Sequence, residues 1–376
     1  MNTIFTVGIF MSFFLSLLLA AKKQKYLPDI ILAIWLSIIG IHLTSYYLYS
    51  LDFWTKYPHM VGVTLPVPLL HGPMLFLYTL YSLRDEKRLR KVDYLHFAPA
   101  LLVWLYMCRF YFFYSAQEKV LVDKGLVNDF AIFSVIALVA FIVSGLIYPI
   151  LAYRWIEKYN QLINDNFSYN NRISLDWLKY CIYGTGLLFF TVAVVYFIKD
   201  GMGLEFPFNA DFIFYIMIVI FVICIGFFGI RHQNIFTEDS SEKKVRLVQS
   251  KLNGEYKKSG LKQEKAEDVH QKLLDLMETE KPYTNPKLTL SDLATSLNIS
   301  VNHLSQIINQ NEKMNFHDFV NKYRVEEFIK NASANRNFSI LAHALDAGFN
   351  SKSSFNNVFK KHKGITPSNY MANLHA

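Results

Sequence analysis

LTLSDLATSLNISVNHLSQIIN, residues 288–309, holds two short helical stripes on either side of one turn. Thr289 followed three residues later by Asp292 is a capping-box-like helix start. Leu290, Leu293, Ala294 and Leu297 then recur at helical spacing and predict one buried face. Asn298 stands at the turn, where asparagine tolerates the left-handed conformation. Ser300 caps the next helix, with Leu304, Ile307 and Ile308 inward. Two short helices about a tight turn make a helix-turn-helix. The second helix is expected to expose Asn302, His303, Ser305 and Gln306, side chains able to bond base edges in a major groove.

Downstream, Phe316 to Phe328 reads as a longer amphipathic helix with Phe319, Val320, Tyr323 and Phe328 on its buried side. SILAHALDAGFNSKSSFNNVFKKHKGITPSNY, residues 339–370, then repeats the first plan. Leu341, Ala342 and Leu345 are expected to form one helix face, Gly348 the turn, and Ser351 the next cap. Phe355 and Phe359 bury that helix, leaving Lys352, Ser353, Asn356 and Asn357 outward. Lys360, Lys361 and Lys363 follow as expected phosphate partners. The two candidate recognition helices start 51 residues apart, at Ser300 and Ser351. A joining helix of roughly 13–15 residues spans about 20 Å. Two such units can therefore reach successive major-groove faces about 34 Å apart.

DAGFNSKSSFNNVFKKHKGITPSNY (346–370) resembles the signature of AraC-type transcriptional regulators: a Gly-Phe turn, a Ser-led helix, Phe-Lys, then Gly-x-Thr-Pro and a Tyr. NFHDFVNKYRVEE (315–327) resembles that family's linker helix, with Arg324 at the Arg of its Tyr-Arg pair. The resemblance implies base contacts from Asn302, Ser305 and Gln306 in the first unit and from Lys352, Ser353 and Asn357 in the second. It also implies double-stranded DNA as partner and a homodimer on DNA. Phe328 stands where the family has a small Ala, and Met371 follows Tyr370 where it has Arg. The first recognition helix lacks any Arg or Lys, which weakens its direct readout. Residues 288–376 carry nine basic and six acidic residues, so bulk charge contributes little to non-specific binding.

Upstream the composition changes. Overall the 376 residues are 52% apolar and only 18% charged, with mean hydropathy +0.20, against about 25% charged in an ordinary soluble protein. Residues 1–230 hold 17 Lys+Arg and 14 Asp+Glu, whereas 231–376 hold 21 and 16. The first part is membrane-like. Crossing a hydrocarbon core takes about 20 mostly apolar residues, and seven segments are expected to do so: approximately 3–21, 29–50, 61–83, 94–114, 130–153, 177–198 and 211–230. The runs are continuously apolar, so helices rather than a barrel follow. The expected fold is all-α: a seven-helix transmembrane bundle over 1–230, a helical connector over 231–287, and a double helix-turn-helix over 288–376.

Loops 22–28, 84–93 and 154–176 carry eleven Lys/Arg, Arg172 among them, and the alternate loops carry four. That bias puts the first set in the cytoplasm. The first helix is then retained with its N-terminus outside, and everything after Arg231 is cytoplasmic. With the family resemblance, this implies a multi-pass protein of a bacterial inner membrane, like the membrane-bound regulators of Bacteroidota-like bacteria, with lipid as a further partner. Trp54, Tyr46, Tyr47, Tyr49, Tyr111 and Tyr114 read as an aromatic belt at the outer interface. In the third span, LPVPLLHGPMLF (65–76) sets Pro66, Pro68, His71, Gly72 and Pro73 within eight residues, which predicts a kink or break. Either a ligand pocket surrounds His71, or the kink is packed and His71 bonds a neighbouring helix. His42 and Arg109 sit in the outer halves of their spans. An outward-opening pocket of His42, His71 and Arg109 would take an anionic or polar signal, a small molecule or a peptide.

No HExxH pair, GxSxG elbow or Gly-rich phosphate loop is present, so no enzyme is expected, and no cofactor or metal. Cys108, Cys181 and Cys224 each lie in apolar surroundings, against a disulfide framework. In the connector, 264–280 reads as a helix with Val269, Leu273, Leu276 and Met277 inward, and Val245, Val248 and Leu252 as a weaker piece. The reading that competes with a DNA regulator is a membrane receptor or adaptor whose C-terminal helices bind a protein partner.

Overall fold

The computed structural model describes residues 2–84, 86–127, 129–168, 176–204, 211–231, 263–335 and 337–373. Arg172 and the helical piece expected around Val245, Val248 and Leu252 lie outside the described residues. The fold is all-α, 80% helical and without a strand among the described residues. It divides into two units, one made of Met1–Ile156 with Leu175–Ser240, the other of Glu157–Ser174 with Ser241–Ala376.

The first unit contains α1 (Asn2–Ala20), α2 (Leu27–Ser50), α3 (Phe53–Lys56), α4 (Pro68–Ser82), α5 (Ala98–Phe113), α6 (Ala116–Asp123), most of α7 (Ala131–Asn166), α8 (Asp176–Tyr196) and α9 (Asp211–Arg231). Among the described residues, five stretches are long and apolar enough to cross a membrane: Thr3–Ala20, Leu27–Ser50, Lys91–Phe113, Ala131–Asn166 and Leu178–Lys199. They are compatible with a membrane anchor. The third expected span differs from its prediction. Residues 61–67 form turns, and α4 is a 15-residue helix starting at Pro68. At 1.5 Å per residue α4 measures about 22 Å, short of a core about 30 Å thick. Pro66 and Pro68 hold back the helix start, because proline cannot donate and crowds the turn before it. Pro68 sits at the first helical position, where a missing N–H costs nothing. Pro73 is carried inside the helix.

The outward surface of this unit is apolar: Phe112, Phe113 and Ile132 are 75%, 82% and 80% exposed. Its helices approach closely at small residues. A Cβ at Gly145 of α7 would stand 2.0 Å from the Phe189 ring of α8, so only glycine allows that approach. Trp54 and Tyr46 correct the aromatic-belt expectation, since both are buried. Trp54 packs in a cluster with Val61, Met107 and Phe110. Tyr49 is exposed.

The second unit takes in the end of α7 from Glu157 onward, followed by α10 (Gln263–Thr279), α11 (Leu290–Ser296), α12 (Val301–Ile307), α13 (Phe316–Ala334), α14 (Ile340–Asp346), α15 (Lys352–Lys363) and α16 (Pro367–Asn373). Each helix of the two short pairs opens on a hydroxyl cap. The side chains of Thr289, Ser300, Ser339 and Ser351 accept from the backbone N–H of Asp292, His303, Ala342 and Ser354. Asp292 returns the bond to Thr289 N–H at 2.8 Å, completing the capping box. Both turns use positive φ, at Asn298 (52°) and Gly348 (98°).

Two apolar cores lie side by side along α13. The first gathers Leu273 and Met277 of α10 with Leu290, Leu293, Leu304, Phe316 and Phe319. The second gathers Val325 and Phe328 with Phe349, Phe355, Val358 and Phe359. Phe328, which departs from the family's small residue, fills the second core with its ring 4.6 Å from Phe355 and 5.5 Å from Phe359. Two expectations are corrected. The joining helix α13 has 19 residues rather than 13–15, because Asn315 caps it and no breaker follows before Asn335. Its length is therefore about 28 Å. In α14 and the Ala347 that follows it, the buried face is His343, Ala344 and Ala347, while Leu341 and Leu345 are 37% and 46% exposed. Small side chains let α14 close on α13, and the His343 ring donates to the Asn335 carbonyl at 2.8 Å.

Candidate nucleic-acid interface

The caps at Ser300 and Ser351 aim two polar helix faces away from the two cores. On α12, Gln306 is exposed, while Asn302, His303 and Ser305 are half-buried. Ser305 lies within 3.5 Å of the Asn309 amide. On α15, Lys352, Ser353, Asn356, Asn357, Lys360 and Lys361 are all exposed, with Phe355, Val358 and Phe359 beneath them. The last turn of α15 also carries Lys363, and these cations lie at the helix end that favours positive charge.

Lys361 is placed differently from its neighbours. Its ammonium donates to both carboxylate oxygens of Asp318 on α13, at 2.7 and 2.8 Å. The His317 side chain, with Lys361, holds the Asp318 carboxyl well below the usual carboxylate range. The charge of Lys361 is thus already matched within the unit. Lys360 and Lys363 have no ion-pair partner among the described residues. His362, between them, is pulled below its ordinary value by burial.

In the first unit, the structure brings His42 and His71 together and leaves Arg109, the third expected pocket residue, apart. Trp35 Nε1 donates to His71 Nδ1 at 3.2 Å, since an indole can only donate. His71 Nε2 and His42 Nδ1 are 3.1 Å apart, and His42 Nε2 lies 3.1 Å from the Tyr215 hydroxyl. With one proton on each ring, the bonds run in one direction, Trp35 to His71 to His42 to Tyr215. His71 is therefore tied to α2. A cavity of about 570 Å³ lies against His42, lined also by Tyr46, Trp54, Thr64, Phe141 and Tyr215. Arg109 does not line it and is exposed. Val103, Met107 and Phe110 take the inward stripe of α5, and helical spacing turns Arg109 away from it. Trp35 and Tyr215 escaped sequence reading, because no spacing pattern ties either residue to His71.

Residues 293–373 match the model of a family described as a helix-turn-helix domain, of AraC type. No curated protein and no solved structure matches the chain. The match covers α12 to α16 and most of α11, and it points to DNA-binding transcription regulation.

Proposed function

We propose that the chain is a membrane-anchored, one-component transcriptional regulator that reads DNA through two helix-turn-helix units. The observation that carries this reading is the family match over 293–373 joined to two capped helices with outward polar faces. In this reading Asn302, Ser305 and Gln306 contact one groove segment, and Lys352, Ser353 and Asn357 contact another. Lys360 and Lys363 meet phosphates, and Lys361 is kept by Asp318. Two copies bind together, which offsets the small net charge of the domain. Seven spans place the N-terminus outside a bacterial inner membrane and residues 231–376 in the cytoplasm, with α4 as a short, protein-buried third span.

Sensing is assigned to the cavity beside His42. Its walls mix aromatic and aliphatic side chains with the polar groups of His42, Thr64 and Tyr215 and the Asp123 carboxylate, which suits an amphipathic signal without negative charge better than an anion. The receptor or adaptor alternative draws on exposed Phe338, Leu341 and Leu345, an apolar surface that a protein partner could cover.

The deciding experiment is selection of genomic DNA fragments by the full-length protein in detergent at fixed physiological salt. Recovery of a motif with two segments about one helical turn apart is the expected result. Recovery of no motif from folded protein favours the protein-binding alternative.

A further inference from the structure

Arg324, at the middle of α13, is 1% exposed. A guanidinium has five N–H donors, and here each meets an oxygen. Nε donates to Tyr283 O at 2.7 Å. One terminal nitrogen donates to Ser168 O at 3.0 Å and Asn321 Oδ1 at 3.3 Å. The other donates to Ser168 Oγ at 3.1 Å and Asn285 O at 2.8 Å. None of the five acceptors is a carboxylate, and two of them belong to Ser168.

Ser168 lies two residues beyond the end of α7 and 120 residues before Leu288, to which it is fastened. Its Oγ–H donates to Leu288 O at 2.7 Å, its N–H reaches the same carbonyl at 3.3 Å, and its own carbonyl accepts from Asn321. Beside it Phe167, 3% exposed, pairs with Thr289 in an isolated antiparallel bridge. The same spot receives the turn of the second helix pair. A Cβ on Gly348 would stand 2.2 Å from Tyr283 O and 3.0 Å from Arg324 Nε. Arg324 thus gathers the chain entering α11, the turn before α15, and a segment that arrives from an apolar helix. A buried cation does not tolerate the loss of two acceptors, so the segment is part of the unit's construction.

We propose that Phe167–Ser168 is a docking strap, by which the end of α7 holds the DNA-binding unit at Arg324 and passes the state of the membrane helices to it. This rests on the DNA-binding reading above. The α7 helix runs from Ala131, among residues of the first unit, to Asn166 in the second, so its rotation or sliding acts on Ser168 directly. The strap seats on the helix that both cores share, where a shift changes how the two recognition helices are held.

The test uses the full chain in native membranes, with a protease site inserted in residues 241–250 and Cys108, Cys181 and Cys224 replaced by Ser. After cutting, the C-terminal fragment is expected to pellet with the membranes, and F167D is expected to release at least about tenfold more of it, which corresponds to about 1.4 kcal/mol of docking energy. The Ser168 N–H to Leu288 O bond makes Phe167 and Thr289 a non-hydrogen-bonded pair, with Cα atoms about 4.5 Å apart, a spacing a disulfide can bridge. F167C/T289C is therefore expected to crosslink on oxidation and to keep the cut fragment attached until reduced. Equal release from the parent and F167D, or no crosslink, overturns the strap. DNA affinity measured on the uncut proteins separates the two readings. A parent that docks but selects no DNA overturns the regulator and leaves the strap. An F167D protein that has lost docking, yet binds DNA with the parent's affinity, overturns the transmission.

Discussion

The helix pair at 290–307 and the pair at 340–363 begin alike, each helix on a serine or threonine cap, and then diverge in what they offer outward. The second helix of the first pair, α12, has seven residues, no Lys or Arg and a polar face that is half-buried apart from Gln306. Its counterpart in the second pair, α15, has twelve residues, a fully exposed polar face and three lysines in its last turn. The difference teaches that a duplicated fold need not duplicate its work. Packing is repeated in both halves, because each needs its own core against α13. Charge is concentrated in one, which in the proposed DNA reading is where phosphate attraction seats the domain.

The largest effect should come from the cores. Phe359→Ala is expected to cost about 3–5 kcal/mol and Leu304→Ala about 2–5 kcal/mol. Because α13 threads both cores, hydrogen exchange should show protection falling in both halves for either variant. Loss confined to the mutated half would break the picture of a shared scaffold.

Next come the reading positions. Lys352→Ala and Asn357→Ala should each weaken specific DNA binding by about 1–3 kcal/mol, with Asn302→Ala and Gln306→Ala at the low end of that range. Competition binding at one salt concentration checks the order, and an inverted order would move the main readout to α12.

A smaller effect divides the lysines themselves. Removing Lys360 should reduce the slope of log affinity against log salt by about 1. Lys361→Ala should leave that slope nearly unchanged, because Asp318 already neutralises Lys361.

The smallest is a pH effect. The Asp318 carboxyl is lowered by His317 and Lys361, so the folded state binds its proton less readily than the unfolded chain does. Its stabilisation is fully present above about pH 5 and fades as pH falls through the ordinary carboxylate value near 4 toward the lowered native one. Thermal unfolding between pH 6 and pH 3 should show that fading in the parent and much less of it in Asp318→Asn.

Much of the C-terminal unit was legible because its signals are local. Caps at Thr289, Ser300 and Ser351, the Asn298 and Gly348 turns, and the Phe355/Phe359 stripe all lie within one or two helical turns of what they control. Leu341 and Leu345 misled for the opposite reason. Apolar spacing marks a helix face, but which face a neighbour covers depends on how closely α14 can approach α13, and that favoured the small side of Ala344 and Ala347. Arg109 failed in the same way, since one residue of helical offset turns a side chain from the cavity to the outside. His71 was legible as an oddity, but its bonds to Trp35 and His42 depend on the packing of α4 against α2.

From sequence alone follow the all-α class, the change in composition near residue 231, and the capped, repeated helix pairs, because periodicity, capping and hydropathy act over neighbouring residues. Tertiary structure alone decided which polar groups meet across long separations. Lys361 finds Asp318 43 residues away, and Ser168 finds Arg324 at a separation of 156. For Arg324 the physical reason is that a buried cation needs every donor met, and the oxygens that meet it are backbone, hydroxyl and amide groups whose positions only a folded chain can aim.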